Sequence, residues 1–217
     1  MAKKVAFVDV DGVLFNIEAF KERYFKFLVS LLLGECRENQ ILEAYEDSKR
    51  NWIYDVDRHI ALISAASSTP AFELRKKIED FMRREAQRFI YPDAEFFLER
   101  LAETDYEILI ATAGVEWFQE EKIPVDFYRH ISGVKVTQDT TKVSLIGRFS
   151  DPEEDDIVLF DDTTHIIDKV KEFFPKVYAV QMQRGDDWDG ASPLADFYVS
   201  DLEEAITLPM FPLPKTK

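Results

Sequence analysis

The sequence predicts an α/β protein: a three-layer, Rossmann-like parallel sheet interrupted by an all-helical insert. Three observations predict it. The run VAFV (5–8) is short, wholly apolar and ends on acids, the pattern of a strand buried on both faces. From Ile17 to about Ile90 the apolar residues recur at helical spacing. After Pro92, short apolar runs alternate with helical stretches, an order that builds a parallel sheet with right-handed crossovers. The chain therefore divides into a core, 1–16 with 91–217, and an inserted helical domain, 17–90.

The elements follow in order. Ile17, Phe20, Tyr24, Phe27, Leu28 and Leu31 step by three and four, and Gly34 stops that helix. A second helix is expected over 38–51 and a third over 57–67. Pro70 opens a fourth that carries Phe72, Ile78, Phe81, Met82, Glu85 and Phe89. Pro92 closes the insert. Helix 94–103 precedes strand 106–111, and helix 115–121 precedes a short strand at 131–136. Helix 141–147 leads to strand 156–160, helix 163–173 to strand 176–180, and FYV (197–199) to a last helix at 201–206. The Pro-rich tail, 207–217, is expected to run extended.

The 217 residues hold 42 acids against 27 Lys and Arg, a net charge of −15. Nucleic acids and anionic membranes need clustered cations, so neither is expected as a partner. Most of the acids are expected to solubilise the surface. Cys36 is the one cysteine, lies among acids and cannot form an intramolecular disulfide. With three scattered histidines it offers no zinc site. Asp9 and Asp11 interrupt the first apolar run, against a signal peptide, and no stretch reaches the ~18 apolar residues of a membrane span. The expectation is a cytoplasmic protein. The Phe-rich helices leave monomer and homodimer both open.

In parallel sheets, sites form beyond the carboxyl ends of the strands. Asp9, Val10, Asp11 and Gly12 follow the first strand. Thr112, Ala113 and Gly114 follow strand 106–111, Asp161 and Asp162 follow strand 156–160, and Lys142 opens a helix between them. Gathered carboxylates repel one another unless a cation joins them, and Mg²⁺ suits a few carboxylates with waters. A hydroxyl and an ammonium suit phosphoryl oxygens, and an aspartate can attack phosphorus.

DVDGV at 9–13, the strand ending in Thr112, Lys142 ahead of a helix, and the strand ending in Asp161-Asp162 resemble the four motifs of the haloacid dehalogenase superfamily, in that family's order. The insert resembles the family's helical cap. The resemblance implies a Mg²⁺-dependent phosphatase for a small phosphorylated metabolite. Asp9 would be the nucleophile, and Asp11 the acid and then the base. Asp9, the Asp11 backbone carbonyl, Asp161 and Asp162 would hold Mg²⁺. Thr112 and the Ala113 N–H would hold phosphoryl oxygens, and Lys142 would neutralise charge. The family's dehalogenases do not use a second aspartate this way, so Asp11 favours phosphate-ester hydrolysis. A phosphomutase is the alternative. A phospho-accepting receiver domain would carry its motifs in another order.

Val143 follows Lys142 where many relatives have proline, which keeps Lys135 as an alternative. A second Asp-Val-Asp, at 55–57, reads as a helix-start acid pair. Asp168 reads as a solvated acid and His165 as a helix-surface residue. Tyr24, Arg50, Trp52, Arg58 and His59 either face substrate or pack, and Gln183–Trp188 can rim the site.

Overall fold

Strand β1 (Lys4–Val8) is flanked on both sides by parallel partners, because its residues are apolar on both faces and bury completely after Lys4. The computed structural model describes residues 2–184 and 190–211. After β1 come α1 (Ile17–Leu31), α2 (Glu38–Ser48), a hairpin of β2 (Lys49–Arg50) and β3 (Ile53–Tyr54), α3 (Val56–Ala66), α4 (Ala71–Glu85) and a 3₁₀ turn, Ala86–Phe89. The alternating part holds α5 (Ala94–Ala102), β4 (Glu107–Ala113), α6 (Glu116–Glu120), a second 3₁₀ turn (Val125–Arg129), β5 (Gly133–Thr137), α7 (Val143–Phe149), β6 (Asp156–Asp161), α8 (Thr164–Phe173), β7 (Tyr178–Met182), β8 (Phe197–Val199) and α9 (Leu202–Ala205).

The six-stranded sheet has the order β5-β4-β1-β6-β7-β8, all parallel. Strand order reverses at β1, so the crevice beyond β1, β4 and β6 is the switch point where such sheets bind ligands. Alternation splits the packing. Val5 and Phe7 join Leu109, Ala111, Ile157 and Leu159 against α7 and α8. Ala6 and Val8 join Ile108, Ile110, Val158 and Phe160 in a second core that runs on without a break into α1, α3 and α4.

Helix starts follow local chemistry. Asn16 caps α1 by accepting from the Ala19 N–H at 3.0 Å, and Asp55 caps α3 by accepting from Arg58 N–H at 2.9 Å. The second Asp-Val-Asp is thus a helix-start device. The helix expected over 38–51 instead ends at Ser48. Asn51 (φ 48°) and Trp52 (φ 72°) form a two-residue turn with both central φ positive, which cannot continue a helix. With Lys142 (φ 58°), these are the non-glycine residues of positive φ among the described residues. Each such conformation costs about 1–3 kcal/mol.

Two smaller expectations also change. The tail does not run extended from residue 207, because Phe211 is buried and stacks on Phe160; residues 212–217 lie outside the described residues. Asp168 is half-buried and accepts the Ser192 hydroxyl, so it is no solvated acid. No helix is long and apolar enough to cross a membrane among the described residues.

Candidate active site

The parallel register aligns Val8 with Phe160, which sets Asp9 beside Asp161 one residue further on. The Asp9 N–H closes that step by donating to the Phe160 carbonyl at 3.0 Å. Lys142 Nζ reaches both acids, at 2.8 Å from Asp9 Oδ1 and 2.7 Å from Asp161 Oδ2, and is only 1% exposed. Burial, helped by the neighbouring Asp161, pushes the Asp9 carboxyl up to about 7 although Lys142 opposes the shift. Burial works against the Lys142 charge as well, but Asp161 and Asp9 outweigh it and hold the ammonium above its usual range. Asp162 is also raised, by burial first and then by Asp161 and Asp9. These acids are crowded beyond what one lysine relieves.

A metal fits this crowding. Asp9, Asp161 and Asp162 each offer an oxygen, and the three lie within 4.8 Å of one another. Gly12 (φ 76°) makes the approach of Asp162 feasible: a Cβ there would stand 2.0 Å from Asp162 Oδ2. Hard oxygen donors of this number suit Mg²⁺.

Lys142 reaches the acids from a strained backbone at the start of α7. Asp139 braces that turn by accepting from the N–H and hydroxyl groups of both Thr141 and Ser144, at 2.7–3.0 Å. Partial burial of Asp139 works the other way, yet those bonds bring its carboxyl down to about 2. Lys135, the alternative, lies over the Phe149 ring at 4.6 Å and is not part of the acid cluster.

Asp11 is not one of the three acids whose oxygens converge and has a lysine of its own. Lys122 Nζ donates to both its carboxylate oxygens at 2.7 Å, from a position 1% exposed. The rings of Phe15, Phe118 and Phe20 surround that ammonium at 5.2, 5.3 and 5.9 Å. Sequence reading missed Lys122; its one signal is a lysine just beyond α6 in the segment after Thr112. Four carboxylates thus meet two buried ammonium groups. With all four ionised, two positive charges are lacking, which one divalent cation would supply.

Thr112 and Ala113 lie inside β4, not after it, and both line the cavity. Gln119 donates to the Ala113 carbonyl at 2.9 Å, and Gly114 makes room for it, since a Cβ there would stand 2.7 Å from Gln119 Nε2. The Gln119 Oε1 is buried without a partner among the described residues.

Above this floor opens a cavity of about 600 Å³. Its opposite wall comes from the insert and is aromatic. Of the insert residues singled out from sequence, Tyr24 and Trp52 line it. Arg58 donates to the Asp47 carbonyl, Arg50 pairs with Asp55, and His59, on α3, is buried against α2. The Ile41 carbonyl can only accept, so His59 Nε2 donates to it (3.1 Å). The neutral ring then accepts at Nδ1 from the Tyr54 hydroxyl (2.7 Å), which accepts from Tyr24 (3.2 Å). Burial pulls His59 down to about 4, with the Ile41 bond opposing. His165 is exposed on α8 and touches the cavity rim. Arg184 pairs with Asp93 at 2.6 Å; Gly185–Trp188 of the expected rim lie outside the described residues.

No protein-family model matches the chain, and no curated protein matches it. Solved structures do. A haloacid dehalogenase-like hydrolase of Burkholderia xenovorans LB400 superposes with a TM-score of 0.73 at 15% identity, covering 97% of this chain and 98% of that one. A HAD phosphatase from Thermococcus onnurineus gives 0.67 at 20% identity, covering 94% and 96%. A dehalogenase solved with an intermediate gives 0.61 at 14% identity, covering 94% and 96%. The fold is the haloacid dehalogenase-like fold that the motifs implied, and it is shared by phosphatases and dehalogenases alike.

Proposed function

We propose that the protein is a Mg²⁺-dependent phosphatase of the haloacid dehalogenase superfamily, hydrolysing small-molecule phosphate monoesters through an aspartyl-phosphate on Asp9. The observation that carries this reading is the convergence of Asp9, Asp161, Asp162 and Lys142 at the carboxyl ends of the central strands, with Asp11 nearby on its own lysine. The fold alone does not choose between phosphate and halide; Asp11 does, because phosphate transfer to water needs an acid and then a base.

Asp9, Asp161 and Asp162 would hold Mg²⁺, which when bound would polarise a phosphoryl oxygen and offset developing charge. Lys142 would neutralise Asp9 and the phosphoryl group, and Thr112 with the Ala113 N–H would hold the remaining oxygens. Asp9 Oδ attacks phosphorus in line and the P–O bond to the leaving group breaks. Asp11 delivers a proton to that oxygen, then takes one from the water that opens the aspartyl-phosphate. Lys122 would hold one Asp11 oxygen while the other carries the proton for the leaving group, and would bond both oxygens of the carboxylate that then acts as base. The insert over the site would restrict bulk water and large substrates.

The test is phosphate release from an aryl phosphate with Mg²⁺, with EDTA and in Asp9→Asn, alongside halide release from a 2-haloalkanoate. Metal-dependent phosphate release abolished in Asp9→Asn is expected. Halide release without phosphate release would overturn the reading.

A further inference from the structure

We propose that the leaving group of the substrate is an uncharged planar aromatic ring, held by the insert wall and closed over by Trp52; this rests on the phosphatase reading of the floor. The wall is already built as a ring-binding surface. Phe25 and Tyr45 meet edge to face at 4.9 Å, Tyr45 and Tyr54 lie 4.9 Å apart, and Tyr54 and Phe118 lie 5.6 Å apart. All four line the cavity, Phe25, Tyr45 and Tyr54 from the insert and Phe118 from α6. Tyr54 is further tied through its hydroxyl to Tyr24 and His59, which holds the central ring of this surface in place. Aromatic rings prefer such edge-to-face and offset partners, and a saturated ring gains less from them.

The ammonium groups at the wall already have partners: each has a carboxylate, and Lys49 also lies over the Tyr45 ring at 4.5 Å. Lys21 bonds Glu18 at 2.5 Å, and Lys49 bonds both oxygens of Glu46 at 2.8 Å. Neither ammonium calls for a second anionic group on the substrate. A cavity of about 600 Å³ takes a phosphate with one or two rings.

Trp52 is the independent observation. It is 93% exposed and lines the cavity from the tip of the β2–β3 hairpin. Its φ of 72° is a conformation that a bulky side chain adopts at a cost and glycine adopts freely. Asn-Gly is the favoured pair for this turn, and here the second position holds tryptophan. Neither burial nor turn chemistry accounts for an indole in that place. A ring seated between it and the tyrosine wall does.

The experiment compares benzyl phosphate with cyclohexylmethyl phosphate, two esters of equal reach that differ in planarity. Binding is measured by calorimetry on Asp9→Asn with Mg²⁺, in that background and in its Trp52→Gly and Trp52→Phe derivatives; turnover is measured in parallel with Asp9 intact. Benzyl phosphate is expected to bind about 5–10-fold tighter. Trp52→Gly should erase most of that preference while melting at the same or a higher temperature, and Trp52→Phe should keep most of it. Equal affinity for the two esters, a preference untouched by Trp52→Gly, or a lower melting temperature in Trp52→Gly each overturns the proposal. If the aromatic preference appears but no ester is hydrolysed, the phosphatase reading falls and the ring site stands. If both esters are hydrolysed without preference, the reverse holds.

Discussion

Asp9 and Thr112 on the cavity floor, and Asp161 buried beside Asp9, stand at the ends of neighbouring parallel strands, whereas Tyr24, Tyr45 and Tyr54 on the wall come from two helices and a two-residue strand. Floor residues are placed by sheet register: once β1 pairs with β4 and β6, no freedom remains in which side chains meet. Wall residues are placed by ring packing and by a turn whose backbone is strained. The floor carries charge that must be balanced; the wall carries shape. Substitutions should therefore separate chemistry on one side from recognition and stability on the other.

The largest expected effect is on the floor. Asp9→Asn should lower kcat by about 10⁴-fold or more without lowering the melting temperature, as read by phosphate release and calorimetry. Residual turnover near the original rate would erase the distinction. Lys122→Met should lower kcat by about 10–100-fold, because Asp11 loses the partner that orients it. Its KM for a small ester should change little, and a rise in KM alone would move Lys122 from chemistry to binding. Gly12→Ala should raise the Mg²⁺ concentration for half-maximal activity by about 10–100-fold, since Asp162 must give way to the new methyl group. An unchanged Mg²⁺ titration would remove Asp162 from the metal set.

The smallest effect on turnover belongs to the wall. His59 is neutral when folded, with its pKa lowered from 6.5 to about 4, so the unfolded chain binds a proton that the folded chain refuses. Stability from this group is complete above pH 6.5 and is lost as pH falls toward 4, by about 3 kcal/mol in total. Denaturant unfolding across that range should show the loss, and His59→Gln should flatten it while leaving turnover at pH 7 nearly unchanged. An equally steep slope in the variant would assign the pH dependence to other groups.

The floor was legible in the sequence because short apolar strands ending on acids announce both the element and the side chain at its end. Asp9, Asp161 and Asp162 are of this kind, although Asp161 is the last residue of β6 and Thr112 falls within β4, where both were expected just past the strand. Lys122 was not legible, since its partner lies 111 residues away and no periodicity links them. The hairpin at 49–54 stayed hidden because Asn51-Trp52 lacks the glycine that marks such turns. Asp139 is a local case: its four bonds to Thr141 and Ser144 span only five residues, so the segment QDTTKVS carried a readable signal.

The interrupted topology also bears on how the molecule is assembled in time. Val5 pairs with Glu107 and Ile157, so β1 emerges from the ribosome more than a hundred residues ahead of either neighbour. At about 5–20 residues per second the nascent strand waits roughly 5–20 s before β4 exists to pair with it. Throughout that interval Val5 to Val8 expose an apolar ribbon with both edges open. Closing so long a loop before the central ladder forms makes for slow, high-contact-order folding. The helices of the insert are synthesised within that window, and because they share one core with Ala6 and Val8, they are the nearest surface on which the waiting strand can shelter.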